Sequence, residues 1–103
     1  MNEGRRSFIS TMIETPITDI LQALGDPARL EIVRGLLDDE PRTCGTFGHL
    51  GLSPSTLSHH FKVLRGAGLI ETESVGPRRL NRLRRSELDE AFPGLLDAVL
   101  AGR

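Results

Sequence analysis

Tryptophan and tyrosine are absent from the 103 residues, and four phenylalanines are the only large aromatics. Proteins that hold unpaired bases stack them on exposed aromatic rings, so a single-stranded nucleic acid is not the expected target. A single cysteine, Cys44, permits no internal disulfide. That fits a reducing compartment and leaves an intersubunit bridge as the one possible thiol cross-link. No apolar run approaches the roughly 20 residues of a spanning helix, and the opening MNEGRRSFIS lacks the apolar core of a secretory signal. A cytoplasmic location with no membrane partner is the expectation. A nucleophile elbow, a glycine loop for phosphates and a metal-ligand pair are also missing, so the chain does not read as an enzyme. Neither an internal repeat nor a low-complexity segment is found.

What is present is a charge pattern. The formal net charge is only −1, but residues 51–85 carry seven basic against two acidic groups. Residues 1–50 carry five against eight, and residues 86–103 one against four. A basic block inside an acidic chain suits a local phosphate-binding face, because only charges near a duplex displace its counterions. A merely solvated surface would scatter the two signs.

Punctuation divides the chain into short elements. Thr15-Pro16 offers a capping hydroxyl before a proline at the first helical position, with Ile17, Ile20, Leu21 and Leu24 following at helical spacing. Gly25 ends that helix. Asp26-Pro27 repeats the start signal, and Leu30, Val33 and Leu37 form the stripe of a second helix that stops by Pro41. A weak third helix is expected over Thr43 to Leu50, where Gly45 and Gly48 each cost about 1 kcal/mol relative to Ala. Ser53 caps a fourth helix from Pro54 to about Arg65, ended by Gly66 and Gly68. From Leu69 the period becomes alternating, which predicts a strand to Ser74, a loop Val75-Gly76-Pro77-Arg78 and a return strand to Arg84. Ser86 with Asp89 suggests a capping box, and Pro93 splits the last apolar stripe, so the terminal helix is expected to start at Pro93. The predicted fold is mainly α with a small β-hairpin, a winged helix-turn-helix of roughly five helices and a two-stranded wing. It occupies residues 15–103 behind an N-terminal arm of residues 1–14.

ALGDPARLEIVRGLLD (residues 23–38) and SPSTLSHHFKVLRGAGLIETESVGPRRLNRLRR (residues 53–85) closely resemble the ArsR/SmtB family of bacterial regulators. The likeness extends over about residues 16–103. It pairs the family's Leu-Gly-Asp-Pro-x-Arg opening with its Leu-Ser-His-His-x-x-x-Leu reading helix. The resemblance implies a homodimer on a palindromic operator in double-stranded DNA, usually a repressor released by a signal.

On a helical wheel of about 100° per residue, Leu57, Phe61 and Leu64 share the core face of the fourth helix. Ser55, Ser58, His59 and Lys62 lie opposite, with Thr56 to one side, and are the candidates for the major groove. His59 faces outward, whereas His60 lies nearer the core and is a packed or phosphate-facing group. Ser53, as the cap, completes the DNA-facing set. Arg78 and Arg79 at the hairpin tip are placed to reach a minor groove or the backbone. Arg82, Arg84 and Arg85 are weaker candidates that could equally pair with Glu71 or Glu73.

The first and last helices carry more apolar stripe than one small core needs, which a twofold axis would bury. By resemblance, Ile17, Ile20, Leu21, Leu95, Leu96, Val99 and Leu100 line that contact. Family members often sense metals, yet this chain departs from their patterns. Arg42-Thr43-Cys44-Gly45-Thr46-Phe47 offers one thiol where the family's site needs two or more, and Asp89, Glu90 and Asp97 have no histidine beside them. Cys44 and His49 are a fragment of a metal site, so no cofactor is assigned, and Cys44 reads as a small buried hydrophobe. An organic ligand, oxidation of Cys44 or a partner protein stay open as the signal. A winged-helix interaction module and a sensor with a non-standard metal site are the alternative functions.

Overall fold

Five α-helices, one 3-10 segment and one antiparallel hairpin follow one another along residues 15–102, the stretch that the computed structural model describes. The arm assigned to residues 1–14 lies outside the described residues. Helix α1 spans Ile17–Leu24, α2 Pro27–Gly35 and α3 Pro54–Gly66, with the 3-10 segment Cys44–Leu50 between the last two. The wing is β1 Ile70–Val75 and β2 Arg78–Leu83, followed by α4 Arg85–Ala91 and α5 Leu95–Ala101.

Side-chain caps fix the starts of α2 and α3. Asp26 accepts from the backbone N–H groups of Ala28 at 2.8 Å and Arg29 at 3.2 Å, satisfying two donors that α2 cannot bond internally. Pro16 itself, not Thr15, takes the cap position of α1, because its ψ of 140° is extended and its carbonyl accepts from Asp19 and Ile20. Helix α2 stops at Gly35, well short of Pro41. Its buried stripe is Ile32, Val33 and Leu36, and the expected Leu30 and Leu37 only flank the core. The expected third helix forms in the tighter 3-10 geometry and breaks its dihedrals at Phe47. Ser86 caps nothing: the chain turns straight from β2 into α4 at Arg85, leaving Ser86 inside the first turn. Proline 93 does split the terminal stripe, but α5 begins at Leu95 because Gly94 takes a left-handed φ of 82°.

Core residues come from every element. Ile20 and Leu24 of α1, Val33 of α2, Phe61 and Leu64 of α3, Leu83 of β2 and Leu96 of α5 are all buried. Phe47 seats the 3-10 segment on this core, with its ring centroid 5.6 Å from that of Phe61. The fit depends on Gly35, where a Cβ would stand 2.5 Å from the Phe47 ring.

Candidate nucleic-acid interface

Helix α3 is fixed at its start by Ser53, whose hydroxyl accepts from the Thr56 N–H at 3.2 Å and donates to the Thr56 hydroxyl at 2.9 Å. Leu57, Phe61 and Leu64 bury one face, and Ser55, Thr56, Ser58, His59 and Lys62 stand exposed on the rest. The helix therefore presents short hydroxyls, an imidazole and an ammonium to solvent. These groups can approach base edges and phosphates closely.

His60 departs from the DNA-facing set. It is 8% exposed, and its Nδ1 lies 3.0 Å from Arg29 Nη1. An arginine has no acceptor, so Nδ1 is the accepting atom of this contact. The same guanidinium donates to the carbonyls of Ala23 and Gln22 at the end of α1. Arg29 thus ties α1 to α3, a role not assigned from its place in the Asp-Pro-x-Arg motif. Burial pulls the Asp26 carboxyl upward, but the backbone bonds from Arg29 and Ala28 and the charge of Arg29 hold it below its ordinary value.

The wing closes through a two-residue turn rather than the four-residue loop expected, since Val75 pairs directly with Arg78. Gly76 has φ 60°, and proline cannot follow it with positive φ, so the turn is of the II′ kind that suits a twisted hairpin. Alternation then separates neighbours. Arg79 shares the face of the buried Asn81 and Leu83, which meets α3, whereas Arg78 and Arg82 lie on the opposite face. Arg78 stands beside the tip. Arg82 stands directly across from Glu71, a register that favours cross-strand charge pairing. Arg84 is buried and Arg85 lies 3.5 Å from both Asp89 and Asp97, so both leave the DNA-facing set.

Asn81 holds the wing to the body. It is 2% exposed; its amide donates to the Arg42 carbonyl at 3.0 Å, and its Oδ1 accepts from the Thr72 hydroxyl at 2.8 Å. Backbone bonds between Arg42 and Asn81 add a single bridge beside β2. Arg42 is steadied in turn by Asp38, whose carboxyl accepts two bonds of 2.7 Å from it. Those bonds and the Glu40 N–H hold the Asp38 carboxyl down at about 2. A polar residue on the core face of a strand was the sequence signal for Asn81.

Cys44 is half-buried, with its Sγ 3.9 Å from the Asn81 amide, and His49 is exposed beside Phe47. Among the described residues no group of three or more His, Cys, Asp or Glu side chains is arranged to hold a metal ion. On α1, Ile17 and Leu21 expose 44% and 45% of their surface. Leu95, Val99 and Leu100 are half-buried around the core. Ile20 and Leu96, at 0% and 1%, belong to the chain's own core and can only support an apolar face from beneath.

Residues 26–72 match the family model described as "Bacterial regulatory protein, arsR family". Over 90 residues the chain is 36% identical to the HTH-type transcriptional regulator CmtR of Mycobacterium tuberculosis, covering 87% of this chain and 76% of that protein. It is 37% identical over 73 residues to the arsenical resistance operon repressor of Staphylococcus xylosus, covering 71% of this chain and 70% of the relative. An ArsR-like transcriptional regulator from Rhodococcus sp. RHA1 shares the fold with a TM-score of 0.63 at 22% identity, over 92% of this chain and 82% of the other.

Proposed function

The chain belongs to the arsR family of bacterial regulatory proteins, and from that premise we propose that this DNA-binding transcriptional repressor works as a homodimer reading a palindromic operator. The observation that carries the proposal is the exposed polar face of α3 in the same basic block as a hairpin with arginines at its tip. Ser55, Thr56, Ser58, His59 and Lys62 enter the major groove, and Arg78 reaches the flanking backbone or minor groove. Ile17 and Leu21 of α1, with Leu95, Val99 and Leu100 of α5, meet their counterparts across the twofold axis. The two α3 helices then face consecutive major grooves about 34–36 Å apart. A signal that separates or re-angles them releases the operator, and the protein acts in the cytoplasm.

The test is binding to the duplex upstream of the protein's own gene. Arg78→Ala weakens binding to every duplex and lowers the salt slope by about 1. Ser55→Ala and His59→Ala reduce the preference for the cognate sequence by about 1–3 kcal/mol. Binding unchanged in all three variants defeats the assignment.

A further inference from the structure

A cavity of about 200 Å³ lies between α3, the wing and the 3-10 segment. Phe61 and Asn81, both buried, close it from below. Cys44, Ser58, Lys62, Arg65 and Arg79 line the rest. Positions 58, 62 and 65 fall on one flank of α3, and Arg79 shares the ribbon face that meets it. Three positive side chains therefore converge on one small space. No acidic residue lines it. Among the described residues no carboxylate stands within ion-pair distance of Lys62, Arg65 or Arg79. Arg65 donates to the Thr72 hydroxyl at 3.4 Å, which leaves most of its guanidinium N–H groups for another acceptor. Like charges gathered without a counter-charge repel one another, and an anion between them removes that penalty while accepting charge-assisted hydrogen bonds.

We propose that this notch seats one tetrahedral phosphate, gripped by Lys62 and Arg65 from the reading helix and by Arg79 from the wing. The inference rests on the DNA-binding reading above and deepens it. Within the major groove, Lys62 and Ser58 then turn to a backbone phosphate at its rim, which narrows base selection to Ser55, Thr56 and His59. A backbone phosphate of the duplex and free inorganic phosphate offer the same chemistry, so the experiment has two arms. In the first, fluorescence anisotropy follows binding of the own-promoter duplex and a scrambled duplex across a chloride series. In the second, the melting temperature of the protein alone is followed as inorganic phosphate replaces chloride at constant ionic strength.

For a duplex phosphate, Arg65→Gln and the exposed-site variant Lys62→Gln weaken both duplexes by the same factor and lower the salt slope by about 1 each. Arg65→Lys restores the slope, because a phosphate accepts a point charge where a purely hydrogen-bonding role would not. For free phosphate, the wild-type melting temperature rises with phosphate and that of Arg65→Gln does not. Slopes unchanged in both glutamine variants with no phosphate-specific rise overturn the notch, as does a slope change that lysine fails to rescue. Wild-type protein that binds neither duplex overturns the DNA reading instead.

Discussion

Single side chains divide into those proposed to face DNA and those that hold the proposed contacts still. Adjacent histidines show the division most sharply. His59 is free to contact a duplex, whereas His60 is buried and bonded to Arg29. The wheel separates them by about 100°, so the difference was legible in the sequence, but the partner was not. Nothing in local spacing announces a bond across 31 residues of chain. Asn81 is the same kind of case: alternation places it inward with Leu83, and only the folded chain supplies Arg42 and Thr72 as partners. Replacing Asn81 with Leu takes the side-chain donor from the Arg42 carbonyl, which keeps the backbone N–H of residue 81, and leaves the Thr72 hydroxyl proton without its acceptor. The expected loss is about 1–3 kcal/mol, read as a lower denaturation midpoint at unchanged m-value.

At the level of elements, the starts of α2 and α3 were readable, whereas the starts of α4 and α5 and the end of α2 were not. Asp26 and Ser53 cap as their Asx-Pro and Ser-Pro signals promise, because a cap is a bond between near neighbours. At Gly35, the last residue of α2, the Phe47 ring takes the space of a side chain, a contact no local window contains. Gly35→Ala tests this. Helix propensity alone favours alanine by about 1 kcal/mol. The Phe47 ring, buried against Phe61, must move, so the variant is expected to melt below wild type. The Asp26 cap also sets a pH dependence. Its folded pKa lies below the ordinary 3.8, so its contribution is present above that value and lost as the pH falls through the folded pKa. Asparagine caps equally well without titrating. Asp26→Asn is therefore expected to lose less stability than wild type between about pH 6 and pH 3 in denaturant titrations. Equal losses contradict the cap's charged role.

At the scale of the whole molecule, a basic block sits in an otherwise acidic sequence, and the proposed dimer gives that block its purpose. The fold class was legible because caps and period change agree along the chain, and the family motif spans the same elements. The apolar face was only half legible. Periodicity marks an amphipathic helix but does not say which residues the chain's own core takes, and the core took Ile20 and Leu96. Leu21→Glu, at an exposed position of α1, is expected to shift the protein toward monomer in sedimentation and to weaken operator binding, with secondary structure retained. The most direct test of the central claim is quantitative gel-shift binding of wild type, His59→Ala and Arg78→Ala to the own-promoter duplex and a scrambled duplex of equal length. The account predicts that wild type prefers its promoter, that His59→Ala loses about 1–3 kcal/mol of that preference, and that Arg78→Ala weakens both duplexes alike. Equal binding of both duplexes by all three proteins would contradict it.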